Sequence, residues 1–352
     1  MNLTLIHIIP TLQSGGAETV LTRIVEEFSK KNVEQIVITI KGSTSDFYYD
    51  SIKKNCIILD WKRNSKSIEA LLIKQSKSPI LAWMYASIFF AHTIKKRLGT
   101  NHPITWNIRH SSFGPTQWYQ KTMLLLFGLA SKVLKNKIIY CSYKSKEVHE
   151  RAFFKRSDSI VIVNRLAKSP PEVDLNRIIK NEKPFFLFVG RFNPQKGTEN
   201  LKIISEKIIL NNSNIEVWVA GAGWDLNYFP VEIQSSIRLL GVRKDVYSLY
   251  SNAIGYLFTS IFGEGYPNVL AEASATGLPI IAFDAGDSKK ILENYKHGFI
   301  VNNNKEFVER SLWLAQNPVL KEVRSKNAQK QLRLLDFSLT VNEYFRFLEL
   351  DF

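Results

Sequence analysis

Only two cysteines, Cys56 and Cys141, occur among the 352 residues. They could form at most one bridge, so no disulfide framework holds the chain and a reducing compartment is expected. Long apolar runs are missing too. The most apolar stretch, Pro79 to Ile94, is 16 residues long and contains Ser87 and His92, too short and too polar to span a bilayer unaided. No basic segment precedes the apolar run of Met1 to Pro10, which reads as a first strand rather than a signal peptide. There is no internal repeat, no low-complexity tract and no zinc-ligand spacing. Neither a Walker loop nor a full dinucleotide fingerprint is present.

What is present suits a globular protein: 45% hydrophobic and 22% charged residues can build sizeable cores. This length fits two domains better than one or four. The formal net charge of +15 is unevenly spread. Residues 1–170 hold 26 Lys and Arg against 11 Asp and Glu, whereas residues 171–352 hold 21 of each. The asymmetry points to an anionic partner for the first half, such as nucleic acid, an anionic membrane face or a phosphorylated acceptor. A Lys-rich surface that only aids solubility is the plainer alternative.

Apolar β-rich runs alternate with helical patterns, the mark of parallel sheets wrapped by helices. Seven such runs, from Leu3–Ile9 to Ile160–Val163, make a first doubly wound domain over 1–168. Prolines 170, 171 and 184 break the alternation, which places a linker at 169–183. Five more runs, from Phe185–Val189 to Pro279–Phe283, make a second domain over 184–330. The remainder, 331–352, reads as a helical segment interrupted near Asp336 to Ser338, possible to trace back toward the first domain. The expected fold class is therefore α/β with two Rossmann-like doubly wound domains.

Three segments carry chemistry. The turn Gln13-Ser14-Gly15-Gly16-Ala17-Glu18-Thr19 follows the first strand and opens a helix, where glycines admit close approach and free amides favour an anion. A tight strand-to-helix turn needs the same residues. In Val189-Gly190-Arg191-Phe192-Asn193-Pro194-Gln195-Lys196-Gly197, an Arg and a Lys five positions on can converge on a diphosphate, or can simply be solvated. In Glu264-Gly265-Tyr266-Pro267-Asn268-Val269-Leu270-Ala271-Glu272, Pro267 suits the first turn of a helix. Glu264 then sits in the loop above the sheet, and Glu272 lies among Val269, Leu270 and Ala273, where a carboxylate needs a ligand or a salt bridge.

Together these segments resemble the family-4 retaining glycosyltransferases, whose GT-B fold sets two Rossmann-like domains across a cleft. The Gly-Gly-Ala-Glu loop, the Gly-Arg-x-x-x-x-Lys-Gly loop and the Glu-x7-Glu motif recur in that family in this order. Leu240-Gly241, Gly277-Leu278-Pro279-Ile280 and His297-Gly298-Phe299-Ile300-Val301 extend the likeness over nearly the whole chain. The resemblance implies that Arg191 and Lys196 clamp the nucleotide diphosphate, with Gly16, Pro267 and the amides of Tyr266, Asn268 and Val269 around it. It gives Glu272 the ribose hydroxyls, Glu264 the transferred sugar, and Gly221 and Gly223 close passage near the nucleoside. His110 matches a histidine near the donor sugar and acceptor hydroxyl. Arg109, beside Gly15 as a candidate acceptor contact, matches an arginine found with a Trp-Met-Tyr segment like Trp83 to Tyr85. Relatives commonly read Asn-Gly-x-Asp where this chain has Asn164-Arg165-Leu166-Ala167, which puts the local linker geometry in doubt. No Asp-x-Asp triplet occurs, so no metal and no cofactor are expected beyond the nucleotide diphosphate sugar as co-substrate.

The implied activity is transfer of a hexose or N-acetylhexosamine, with a UDP-sugar favoured as donor, to a lipid diphosphate-linked glycan in polysaccharide or lipopolysaccharide assembly. A cytoplasmic protein held peripherally at the inner membrane face would suit the basic first half. A nucleotide-sugar 2-epimerase or a non-catalytic partner of the same architecture are the rival readings; nucleic acid, for want of a motif, is not expected. The helix expected over Trp118 to Leu134 carries Met123 to Ala130 between Lys121, Lys132, Lys135 and Lys137, a pattern that fits either a bilayer interface or a helix buried on the sheet.

Overall fold

The computed structural model describes residues 4–350 apart from 14, 43, 112–117, 166–182, 244 and 294. The expected linker at 169–183 and residue Leu3 of the first expected strand therefore lie outside the described residues, Lys183 excepted. The chain forms two compact units. The first takes the described residues up to Asn164 and again from Ser338; the second takes those from Arg165 to Phe337.

In the first unit the strands are β1 Leu5–Ile9, β2 Gln35–Thr39, β3 Ile57–Asp60, β4 Ile80–Trp83, β5 Ile104–Ile108, β6 Asn136–Tyr140 and β7 Ser159–Val161. All pair in parallel, in the order β3-β2-β1-β4-β5-β6-β7. Sequences such as LIHII and ILAW are buried at every position, as strands covered on both faces must be. The helix Gly16–Lys30 turns Ala17, Val20, Leu21, Ile24, Val25 and Phe28 inward at helical spacing.

The second unit holds β8 Phe185–Val189, β9 Glu216–Ala220, β10 Ile237–Gly241, β11 Gly255–Phe258, β12 Ile280–Phe283 and β13 Gly298–Val301, in the order β10-β9-β8-β11-β12-β13. The last of these adds a strand to the five runs expected. Side chains alternate between two cores. Phe186, Phe188, Val217 and Val219 pack with Leu201, Ile204 and Ile208 on one face. Phe185, Leu187, Trp218 and Ala220 pack with Leu270 and Ala273 on the other.

The C-terminal stretch breaks at Leu335–Asp336, between the helices Lys321–Leu334 and Phe337–Leu348. The earlier helix is anchored in the second unit, where the Arg324 guanidinium donates to the Tyr250 and Ala253 carbonyls at 3.0 and 3.3 Å. The later one packs on the first unit: the Phe345 ring meets Phe28 edge-on at 4.5 Å, and Thr340 Oγ1 donates to the Val163 carbonyl at 2.9 Å.

Candidate active site

A parallel sheet opens a crevice at the carboxyl ends of its strands where the strand order reverses. In the second unit that point lies between β8 and β11. Gly190, Arg191 and Lys196 leave β8, while Thr259, Ser260 and Glu264 leave β11. The two loops are joined side chain to side chain. Lys196 Nζ lies 2.6 Å from Glu264 Oε1, and Ser260 Oγ donates to the same oxygen at 2.9 Å. Glu264 is 7% exposed, so its charge is held by these partners rather than by bulk water.

The backbone is built for this approach. Asn193 Oδ1 accepts from the Gln195 amide at 2.9 Å and starts the short 3-10 turn Pro194–Lys196. Gly197 follows at φ +67°, and a Cβ there would stand 1.8 Å from the Thr259 carbonyl oxygen, so glycine is required. Thr259 Oγ1 donates to the Lys196 carbonyl at 2.8 Å, fixing the loop from which the lysine springs. Gly221, at φ +150°, runs so close to β8 that a Cβ would lie 2.1 Å from the Gly190 carbonyl oxygen. Its close passage is thus made to the chain itself, and Trp224 Nε1 donates to the same carbonyl at 2.8 Å. Arg191 is exposed beside this crossing, and a Cβ on Gly223 would touch Phe192 at 3.4 Å.

Pro267 stands at the cap position, one residue ahead of the helix Asn268–Ala275, rather than inside its first turn; no side chain caps that helix. The Gly265 carbonyl accepts from the Asp287 amide at 2.9 Å, tying the segment to the loop after β12. Val269, Asn268 and the half-buried Tyr266 thus lie at one sheet edge with Lys196 and Glu264. Glu272 lies further along the helix, where burial and its charge together hold the buried Tyr250 phenol well above the ordinary value. Tyr250, Ser260 and Thr259 were not among the residues expected, and Asn193 was quoted in its segment without a role of its own. Only the place of Thr259 and Ser260 directly after a strand could have signalled them.

In the first unit the order reverses between β1 and β4. Gly15 caps the helix after β1 in an extended conformation. Gly16 is exposed, and a Cβ on it would meet nothing within 4 Å. Met84, directly after β4, holds φ +67°, a conformation that side-chain-bearing residues seldom adopt. Its neighbour Tyr85 sets its ring edge-on to His110 at 5.0 Å. The Tyr85 hydroxyl bonds His149 Nε2 at 2.7 Å, and His149 Nδ1 bonds the Ser145 carbonyl at 2.7 Å. That carbonyl can only accept, so Nδ1 carries the proton and Nε2 receives the phenol's. Ser145 Oγ in turn donates to the His110 carbonyl at 2.6 Å. Burial pushes His110 down to about 4, which keeps its ring neutral near pH 7.

Arg109 is held by its own unit. Its guanidinium lies 5.7 Å over the Trp83 ring and donates to Asn164 Oδ1 and, at 3.4 Å, to the Tyr344 hydroxyl. Asn107 Nδ2 donates to that hydroxyl at 3.1 Å. Asn164, which opens the segment departing from the family pattern, is thus a partner of Arg109.

Two parallel Rossmann-like sheets, each with polar groups gathered at its switch point, make a GT-B fold. The family described as Glycosyl transferases group 1 matches residues 174–331. An uncharacterized glycosyltransferase of Haemophilus influenzae is 24% identical over 328 residues, 87% of this chain and 88% of that protein. The UDP-Gal:alpha-D-GlcNAc-diphosphoundecaprenol alpha-1,3-galactosyltransferase of Escherichia coli is 27% identical over 165 residues, 44% of this chain and 42% of that one. Among solved structures, Anabaena HepE in complex with UDP-glucose shares the fold with a TM-score of 0.78 at 13% identity, covering 99% of this chain and 100% of that one. Residues 174–331 belong to the group 1 glycosyltransferases, and the chain is a glycosyltransferase that transfers a sugar from a nucleotide sugar.

Proposed function

We propose that the chain moves a hexose or N-acetylhexosamine, with retention, from a UDP-sugar to a glycan carried on a lipid diphosphate, in surface polysaccharide or lipopolysaccharide assembly at a membrane face. The observation that carries the donor half is the bridge from Lys196 to Glu264 across the switch point of the second sheet. There Lys196 and the exposed Arg191 receive the diphosphate, joined by the amides of Tyr266, Asn268 and Val269 at a helix start that no side chain caps. Glu264 takes the sugar, and Glu272 the ribose. Gly221 and Gly223 border the nucleoside. From the first unit, Gly15, Gly16 and neutral His110 serve the reacting groups, and Arg109 positions the end of β5. Nothing in the fold demands glycine at 16, which favours a ligand as the reason for it.

In this reading the bond from the anomeric carbon to the phosphate oxygen breaks, and the acceptor oxygen bonds the same face of the sugar. The acceptor's proton passes to the departing phosphate. The UDP donor is supported by the UDP-glucose bound to HepE. A lipid diphosphate acceptor is supported by the name of the E. coli relative and by the excess of Lys and Arg in residues 1–170. No helix among the described residues is long and apolar enough to cross a membrane.

Incubating the protein with UDP-, GDP- and ADP-sugars tests the donor: a UDP-sugar is expected to raise Tm most, and a GDP- or ADP-sugar doing so instead would displace that choice. Arg191→Ala is expected to weaken UDP binding in calorimetry by about 1.5 to 3 kcal/mol, the usual scale of a hydrogen bond to a charged group; unchanged affinity would remove Arg191 from the clamp. Glu264→Gln is expected to cut turnover more than nucleotide affinity, and Glu272→Gln the reverse. Identical kinetics for the two carboxylate variants would refute that division of roles.

A further inference from the structure

The helix Trp118–Val133 follows β5 and returns to the start of β6. Its carboxyl end therefore stands at the amino-terminal edge of the first sheet, away from His110. One face is core: Leu124, Phe127 and Ala130 pack on the residues inside the sheet. The other is apolar and open, with Leu125 44%, Leu126 59%, Leu129 54% and Val133 84% exposed. The expectation of a helix buried on the sheet thus holds for one face, while the other leaves an apolar surface open. Phe153, 54% exposed, extends the patch, with Lys132 Nζ 5.4 Å from the centre of its ring.

Where the stripe ends, a depression of about 930 Å³ opens at the sheet edge. Five lysines line it, Lys77, Lys132, Lys135, Lys137 and Lys155, against two carboxylates, Asp158 and Glu349. Those carboxylates already pair with Lys155 at 3.5 Å and Lys137 at 2.7 Å. Asn136, also in the lining, is 6% exposed, and neither its Nδ2 nor its Oδ1 has a hydrogen-bond partner. Such a group is costly to bury unmatched. An amide N–H donor beside cations suits a phosphate oxygen, and the amide oxygen suits a hydroxyl.

We propose that stripe and depression form one docking surface for an anionic phospholipid bilayer. The leucines and Val133 enter the boundary between headgroups and acyl chains, while a phosphoglycerol-type headgroup seats on Lys132, Lys135 and Asn136. Burial of apolar area and attraction to anionic headgroups add together in such a surface. The inference deepens the membrane placement under Proposed function and rests on it for its purpose, though not for its geometry.

Co-sedimentation of the full chain with vesicles of phosphatidylcholine, alone or mixed with phosphatidylglycerol, tests it. Binding is expected to require phosphatidylglycerol and to fall as salt rises. Leu126→Asp/Leu129→Asp and Lys132→Glu/Lys135→Glu are each expected to weaken it by about tenfold or more. Asn136→Leu is expected to keep or raise Tm, since it removes two unmatched buried atoms, while lowering vesicle affinity; a merely structural Asn136 would leave that affinity unchanged. Equal recovery with neutral and anionic vesicles, or variants that bind as the parent does, overturns the docking surface. Sugar transfer to a water-soluble acceptor separates the two ideas. Transfer without vesicle binding sinks the docking surface alone, and vesicle binding without transfer sinks the catalytic reading alone.

Discussion

Lys196→Ala is expected to lower the single-turnover rate with a nucleotide sugar by about 10²- to 10³-fold, the scale seen when one preorganised group facing developing charge is removed. In the proposed reading Lys196 supplies a point charge where a departing diphosphate would gain negative charge, and its loop is already locked by Gly197 and Thr259, so little reorganisation is needed. The same substitution strips buried Glu264 of the Lys196 cation, while the hydroxyl of Ser260 stays 2.9 Å away. Two losses are therefore combined in one variant. Glu264→Gln removes the charge from the other side and frees Lys196 from its 2.6 Å bridge. If the pair acts as a unit, Lys196→Ala/Glu264→Gln will cost about as much as the worse single variant. Losses that multiply instead would show that the two residues act independently. Melting curves on all three variants separate lost chemistry from the destabilisation that breaking a buried ion pair brings.

Neither that bridge nor its effect could be read from residue order alone. The alternation of apolar strands with helices was plain because a parallel sheet buries both faces of its strands, and motifs such as Val189 to Gly197 lie where strand meets helix. Contact is another matter: Lys196 and Glu264 are 68 residues apart, and the sheet order that brings β8 beside β11 is not written in either loop. Tyr344 lies 237 residues from Asn107, so its role under β5 was equally hidden. β13 was quoted only as a family motif because four residues opening on Gly298 and mostly half-buried give a weak strand signal. The helix Trp118–Val133 illustrates a different limit. An apolar run without polar interruptions carries no phase, so Leu124 and Leu125 look alike in sequence although one faces the core and the other water.

Acidification from pH 6.5 to 5 is expected to destabilise the first unit steeply. All six histidines of the chain are held below their ordinary value, chiefly by burial. His7, His92 and His110 fall to about 4 and His149 to about 3. Three of these rings also need a lone pair: His7 Nδ1 accepts from Trp83 Nε1 at 3.3 Å, His92 Nε2 from Trp106 Nε1 at 2.9 Å, and His149 Nε2 from the Tyr85 hydroxyl at 2.7 Å. Protonation would bury a charge and break each bond. Because the folded values lie below the unfolded value of 6.5, the stabilisation is full above pH 6.5 and is lost as pH falls toward 4. Each such histidine contributes a slope of at most about 1.4 kcal/mol per pH unit, so four together approach the whole stability of an ordinary domain, roughly 5 to 15 kcal/mol, within two units. Glu18, whose carboxyl burial raises, works in the opposite direction and offsets part of this. Only His297 lies in the second unit, so hydrogen exchange followed along the sequence should lose protection first in the strands β1 to β7. His92→Gln can still accept from Trp106 through its amide oxygen but does not titrate, and it should flatten the pH dependence by about a quarter of the four-histidine slope. A denaturation midpoint unchanged between pH 7 and 5, or equal loss of protection in both units, would contradict this account of the buried histidines.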